Sequence, residues 1–159
     1  MTIKVIFAIG PNGEFGKGHN LPWYAPEDLE HFKEYTGSTT LVMSPACFRS
    51  LPGKLKGRKH VIVGDHTALA KNGSEPDLVI SSTDYIPVDE EICIIGGRGM
   101  IKEFVEIADE VCITHIDSEL VGEADIYIRM DEINEILLGR SMSLESKSTS
   151  FGRIDLWKL

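Results

Sequence analysis

The stretch TTLVMSPACFRSLPGKLKGRKHVIV, Thr39 to Val63, decides the fold. Thr39 to Met43 is a short apolar run of the kind that forms a strand buried on both faces. Ser44-Pro45 then supplies an N-cap and first-turn pair opening a short helix through Leu51, and Pro52-Gly53 stops it. A basic connector, Lys54 to Lys59, leads into a second apolar run, His60 to Val63. Strand, helix, strand in this order calls for a crossover connection, and hence for a parallel sheet.

Upstream, Ile3 to Ile9 is a continuous apolar, β-branched run and reads as another doubly buried strand. Pro11-Asn12-Gly13 breaks it, and Gly13, Gly16 and Gly18 keep the chain loose as far as Leu21-Pro22-Trp23. Pro26 suits the first turn of a helix that runs to a stop at Thr36-Gly37. On that helix Asp28, Leu29 and Phe32 are expected to share the inner face, leaving Glu27, Glu30, His31, Lys33 and Glu34 outside. The ordinary role of Asp28 is first-turn dipole compensation, together with Glu27. A carboxylate beside Leu29 and Phe32 is costly to desolvate without a donor, and a flat cation or amidine-like ligand would be one. Trp23 reads equally well as a core aromatic.

Downstream, a weak helix (Thr67 to Lys71) and a strand (Leu78 to Ile80) follow the decisive stretch. Ile92 to Ile95 is a short apolar strand running into Gly96-Gly97-Arg98-Gly99 and a helix expected over Met100 to Ile107. Backbone N–H groups at such a helix start form an anion site. Gly97-x-Gly99 lacks the third glycine of the dinucleotide fingerprint, and no segment matches the P-loop. Glu110 to Ile116 is a further strand, in which Thr114 needs a partner for its hydroxyl. Asp28 is a candidate. Ala124 to Ile128 and Ile154 to Leu159 are expected as antiparallel strands, with Ser141 to Ser150 a polar loop between them.

A chain of 159 residues suits one domain with a real core. Its formal charge of −9, with scattered Lys and Arg, argues against nucleic-acid and anionic-membrane surfaces. No run approaches transmembrane length, and MTIKVIFAIG lacks the basic region and cleavage site of a signal peptide. Cys47, Cys93 and Cys112 lack CxxC spacing and suit reduced thiols in a cytoplasm. The histidines show no metal-ligand spacing, so no metal is expected.

LPWYAPEDLEHFK, LPGKLKGRKHVIV, IIGGRGMIKEF and VCITHID occur in the order and spacing that dihydrofolate reductases show, and the chain resembles that family from Ile3 to about Ile116, with a weaker tail. The resemblance implies an α/β fold in a single domain spanning residues 1–159: a mainly parallel central sheet flanked by helices, with a C-terminal antiparallel hairpin. It implies hydride transfer from NADPH to C6 of dihydrofolate, with a proton added at N5, in one-carbon metabolism. Antifolates such as methotrexate or trimethoprim would be inhibitors, and a monomer is expected.

Carried over by position, Asp28 resembles the carboxylate that holds the pterin's 2-amino group and N3–H. Thr114 is similar to the hydroxyl that bonds it, and Trp23 to the indole that orders a water nearby. Ile6, Phe7, Phe32, Leu51, Leu55 and Ile95 would form the substrate's apolar walls, and Arg58 would fork onto its glutamate carboxylate. Otherwise Arg58 is a solvated charge in a basic loop. The backbone of Ala8 would grip the nicotinamide amide, and the loop from Gly13 to Leu21, with Gly16, Asn20 and Leu21, would close over the ring. Ala46, Cys47, Gly64, Asp65, Gly96, Gly97, Arg98, Gly99, Met100 and Ile101 would complete the cofactor site. Gly96-Gly97 looks like the family's cis-linked glycine pair.

Two positions depart from the family pattern, both at the adenosine end. Ser44-Pro45-Ala46-Cys47 stands where Gly-Arg-x-Thr is usual, which removes an arginine near the cofactor's 2′-phosphate. Gly64-Asp65 places an acid at a strand end, where it suits a ribose 2′-OH and repels a phosphate. The expectation is a weakened NADPH preference with tolerance of NADH, and Lys59, His60 or His66 as replacement cations. A pyrimidine-type reductase on the same fold would be expected to lack the Trp23, Asp28 and Arg58 combination. A folate- or nucleotide-binding or structural protein with little turnover is the reading from another class.

Overall fold

A computed structural model describes residues 2–87 and 90–159. The decisive stretch forms β3 (Thr40–Met43), α2 (Pro45–Ser50) and β4 (His60–Val63), with β3 and β4 parallel. Ser44 caps α2, its hydroxyl accepting the Cys47 N–H at 3.2 Å. Around this unit lie β1 (Ile3–Ile9), β2 (Glu14–Gly16), α1 (Pro26–Thr36), β5 (Leu78–Ile80), β6 (Ile92–Gly96), α3 (Arg98–Phe104) and β7 (Glu110–Ile116). β8 (Ile126–Tyr127), α4 (Met130–Gly139), β9 (Ser143–Thr149) and β10 (Gly152–Lys158) complete the chain.

Eight strands form one sheet in the order β5-β4-β3-β6-β1-β7-β10-β9. β1 is parallel to both neighbours, whereas β10 runs antiparallel to β7 and β9 antiparallel to β10. The expected parallel sheet and C-terminal hairpin are both present. One face of the sheet (Ile6, Leu41, Ile62, Cys93, Cys112) packs on Phe32 of α1 and Phe48 of α2. The other (Val5, Phe7, Ile94, Val111, Trp157) packs on Ile101 and Phe104 of α3 and on Ile133 and Leu137 of α4. Because β3 and β6 are adjacent and parallel, the chain leaves both in the same direction, and α2 and α3 begin side by side. That is where open α/β sheets bind ligands.

Several local expectations are corrected. Thr67 to Lys71 is not a helix: Ala68 and Ala70 are buried between exposed neighbours, the two-residue alternation of extended chain. α3 begins two residues earlier than read, at Arg98, and ends at Phe104. Ser141 to Ser150 is not a loop, since β9 occupies most of it. It carries no apolar alternation, and β10 alone gives it order. Within Ala124 to Ile128 only Ile126–Tyr127 is strand, and it pairs with β2 of the supposedly loose glycine segment rather than with the C-terminus. α4 is not among the expected elements, although Ile133, Ile136 and Leu137 carry its helical spacing.

α1 is rotated relative to the expected face. Leu29 is 45 % exposed, and the side turned to the sheet carries Asp28, His31, Phe32 and Tyr35. The reason lies beneath it. Glu110 accepts the Tyr35 hydroxyl at 3.0 Å and Cys112 Sγ lies 3.5 Å from His31 Nε2, so polar positions of β7 draw in polar residues of the helix.

Candidate active site

Asp28 sits in the first turn of α1 behind Pro26, facing the carboxyl-terminal half of β7. Burial raises its carboxyl from the ordinary 3.8 to about 6, while the Thr114 hydroxyl beside it pulls in the opposite direction. Thr114 is buried and lies opposite Ala8 of β1 and Ile154 of β10. Among the described residues no Lys or Arg forms an ion pair with Asp28. A half-buried carboxylate with a hydroxyl partner and no cation is a receptor for a hydrogen-bond-donating edge.

Trp23 is buried against Ile116 and Phe151, beside Ala8, and its chain bridges to Val121. Its indole Nε1 is buried without a hydrogen-bond partner among the described residues. Buried N–H groups are rarely left so unless a water or ligand serves them. Ile6, Phe32, Leu51, Leu55 and Ile95 fall in one apolar cluster, as expected of a common wall. Phe7 does not. It is buried on the opposite face of the sheet, with its ring 6.5 Å from that of Phe15, because adjacent strand residues alternate.

Arg58 is half-buried and not a free charge. It donates from Nε to Thr36 Oγ1 at 3.0 Å, and from its terminal nitrogens to Lys56 O at 2.6 Å and Lys33 O at 2.7 Å. The guanidinium thus caps the carboxyl end of α1. What holds its loop is His60, wholly buried and edge-on to Phe48. His60 Nε2 accepts the Leu55 N–H at 3.1 Å, so the ring is protonated at Nδ1, which donates to Arg58 O at 3.1 Å. Burial lowers the pKa of this imidazole. In the sequence His60 shows only as a histidine heading an apolar strand, which suits a strand start or a spare cation and gives no sign of this role.

At the other end of the site the Gly96–Gly97 peptide is cis. Ser44 Oγ accepts both the Cys47 and the Gly97 N–H groups, each at 3.2 Å. A Cβ on Gly96, whose φ is +147°, would lie 3.0 Å from Cys47 Sγ. The β6 turn, the start of α2 and the start of α3 therefore meet in a cradle where the backbone of Gly96 requires glycine, while the space beside Gly99 is open. This suits the pyrophosphate of a dinucleotide. Burial pushes the Cys47 thiol up to about 12, which removes it as a nucleophile.

The remaining cofactor positions divide. Ala46 and Arg98 are exposed, Arg98 donating to Tyr127 O at 3.2 Å, and Met100 is half-buried. Ile101 is fully buried in the core beneath α3, so its side chain does not face the cradle. Gly16 lies in β2, Leu21 is 61 % exposed, and Asn20 Oδ1 accepts from Lys71 Nζ at 2.6 Å. Gly64 and Asp65 follow β4 directly, with Asp65 exposed and 2.6 Å from His66 Nδ1. Lys59 and His60 fail as replacement cations, because both lie at the opposite, amino-terminal end of β4. Among the described residues no cluster of His, Cys, Asp or Glu could hold a metal, and no helix is long and apolar enough to cross a membrane.

Known proteins resemble this chain in sequence and in fold. The dihydrofolate reductase family model matches residues 2–139. The chain is 32% identical over 125 residues to a dihydrofolate reductase of Buchnera aphidicola subsp. Acyrthosiphon pisum, covering 78% of each chain. It is 34% identical over 124 residues to dihydrofolate reductase type 3 of Salmonella typhimurium, covering 77% of this chain and 76% of that one. Its fold resembles that of the Enterococcus faecalis dihydrofolate reductase solved with NADP(H) and RAB-propyl, with a TM-score of 0.74 at 23% identity, over 99% of this chain and 95% of that one. The chain belongs to the dihydrofolate reductase family.

Proposed function

We propose that this chain carries out the family reaction, reduction of 7,8-dihydrofolate to tetrahydrofolate with NADPH, and that Asp28 is the group on which it depends. The observation that carries this is the Asp28 carboxylate itself, half-buried on an apolar wall, with its pKa raised to about 6. A flat edge bearing an amino group and a ring N–H would give it two parallel donors, the geometry a carboxylate prefers. Thr114 fixes the carboxylate, and the buried anion favours the protonated pterin electrostatically. The proton itself arrives through solvent, by way of a water near the ring whose oxygen accepts the indole N–H of Trp23. Ile6, Phe32, Leu51, Leu55 and Ile95 exclude other water, and the unused donors of Arg58 meet the substrate's glutamate carboxylate.

NADPH, when bound, supplies the hydride. The Ala8 backbone would receive its carboxamide, the Gly96–Gly99 segment its pyrophosphate, and the Gly13 to Leu21 segment would close over it. We place the protein in the cytoplasm, consistent with its unpaired Cys47, Cys93 and Cys112, and take it to be a monomer. Loss of reduced-nicotinamide absorbance on adding dihydrofolate tests the activity. Turnover with NADPH is expected, and its absence while methotrexate still binds would replace the reductase with a folate-binding protein.

A further inference from the structure

The connector between α2 and β4 carries two of the proposed substrate contacts, Leu55 and Arg58, and has no regular structure of its own. A segment of that kind holds its side chains in place only if its backbone groups are tied down. Here one side chain ties both. The His60 ring reaches back from the start of β4, accepting the Leu55 N–H through Nε2 and donating through Nδ1 to the Arg58 carbonyl. His60 is itself fixed, since its backbone N–H donates to Asp77 Oδ2 at 2.7 Å and Asp77 Oδ1 accepts from Lys54 Nζ at 2.7 Å. Leu55 and Arg58 are thus fastened from within by an imidazole that never reaches the surface, while Lys54 is held through Asp77.

We infer that His60 is a positioning residue for the tail of the substrate: it sets the connector so that Leu55 completes the apolar wall while Arg58 presents its remaining donors to the glutamate carboxylate. This rests on the Arg58 role proposed above. The pterin end is held mainly from α1 and β7, through Asp28 and Thr114, and the connector adds only the Leu55 side chain to its wall. His60 therefore acts chiefly on ligands that carry a glutamate and much less on ligands without one. An imidazole that merely held the core together would affect both alike.

The test compares dissociation constants of methotrexate, which carries a glutamate, and trimethoprim, which does not, for wild type, His60→Leu and His60→Gln. In His60→Leu both connector bonds are lost, and methotrexate binding should weaken about tenfold while trimethoprim binding changes less than about twofold. His60→Gln offers an amide oxygen at the reach of Nε2 and should recover most of the methotrexate affinity. If His60→Leu does not fold, His60→Gln decides, with a smaller loss confined to methotrexate. Equal weakening of both ligands, or no change in either, would overturn the inference. Because binding is measured, a wild type without turnover would refute the reductase reading and leave this comparison intact.

Discussion

Pro45 and Gly64 are in contact: a Cβ built on Gly64 would lie 2.8 Å from Pro45 Cγ. The two departures from the family pattern are therefore one local feature, with the start of α2 packed against the end of β4 and Asp65 exposed beside it. His66 is the one proposed replacement cation at this end of β4, and its Nδ1 is already engaged by Asp65 Oδ1 at 2.6 Å. An acid here accepts from a ribose hydroxyl and opposes a 2′-phosphate. We expect kcat/KM for NADH within about tenfold of that for NADPH, and Asp65→Ser to shift the ratio toward NADPH by up to about fivefold, the range of an exposed charge interaction. A wild-type NADPH preference of many hundredfold would refute this.

Asp28 trades stability for activity. Its folded pKa, about 6, lies above the ordinary 3.8, so the folded state binds the proton more tightly than the unfolded chain does. Stability from this group is therefore greatest in acid and falls as pH rises from about 4 to about 6, a penalty of about 3 kcal/mol for two pKa units. Asp28→Asn should remove that penalty, making the variant about 2–3 kcal/mol more stable than wild type at pH 8 and nearly equal to it at pH 4. The same variant should lose activity about a hundredfold or more at neutral pH. Urea unfolding at the two pH values checks the first expectation, and kcat the second.

The parts of the fold that the sequence reveals are those where burial is continuous. β1, β3, β4, β6 and β7 are apolar runs because helices cover both faces, and Ser44-Pro45 and Pro26 mark helix starts through their own chemistry. β9 is invisible because its residues are almost all exposed and only pairing makes it a strand. Asp28 and Thr114 were legible as polar groups in apolar surroundings. The rotation of α1 was not, since it depends on Glu110 and Cys112, which lie more than seventy residues away in sequence. The helix-capping bonds of Arg58 and the anchoring of His60 are hidden for the same reason: their partners Thr36, Lys33 and Asp77 lie far away in sequence.

Gly152 opens β10 at φ +148°, and a Cβ there would collide with the carbonyl oxygen of His115 on β7. The obstacle is backbone in the middle of a sheet, which cannot move aside as a side chain would. Gly152→Ala should therefore cost more than about 3 kcal/mol, beyond the usual price of a strained φ. Gly99→Ala, with open space around it, should cost less than about 1 kcal/mol. Thermal melts of the two variants side by side would show whether steric approach sets the order.

Asp155 gives the protein an acid-sensitive tie between its last two strands and β7. Burial raises its pKa, yet the Arg153 guanidinium at 2.9 Å, the Ser146 hydroxyl at 2.7 Å and His115 Nε2 at 3.2 Å together hold it below the usual carboxylate range. His115 has its own pKa lowered by burial, so at neutral pH it meets Asp155 as an uncharged N–H donor. A depressed folded pKa contributes stability above the unfolded value near 3.9, and that stability is lost as pH falls through the folded value. Asp155→Asn should then cost about 1–2 kcal/mol at pH 7, discounted because Arg153 is largely exposed, and markedly less at pH 3. Urea unfolding followed by tryptophan fluorescence can report it, since buried Trp157 is two residues along the same strand. A loss of equal size at both pH values would mean that packing, not the charge, accounts for the effect.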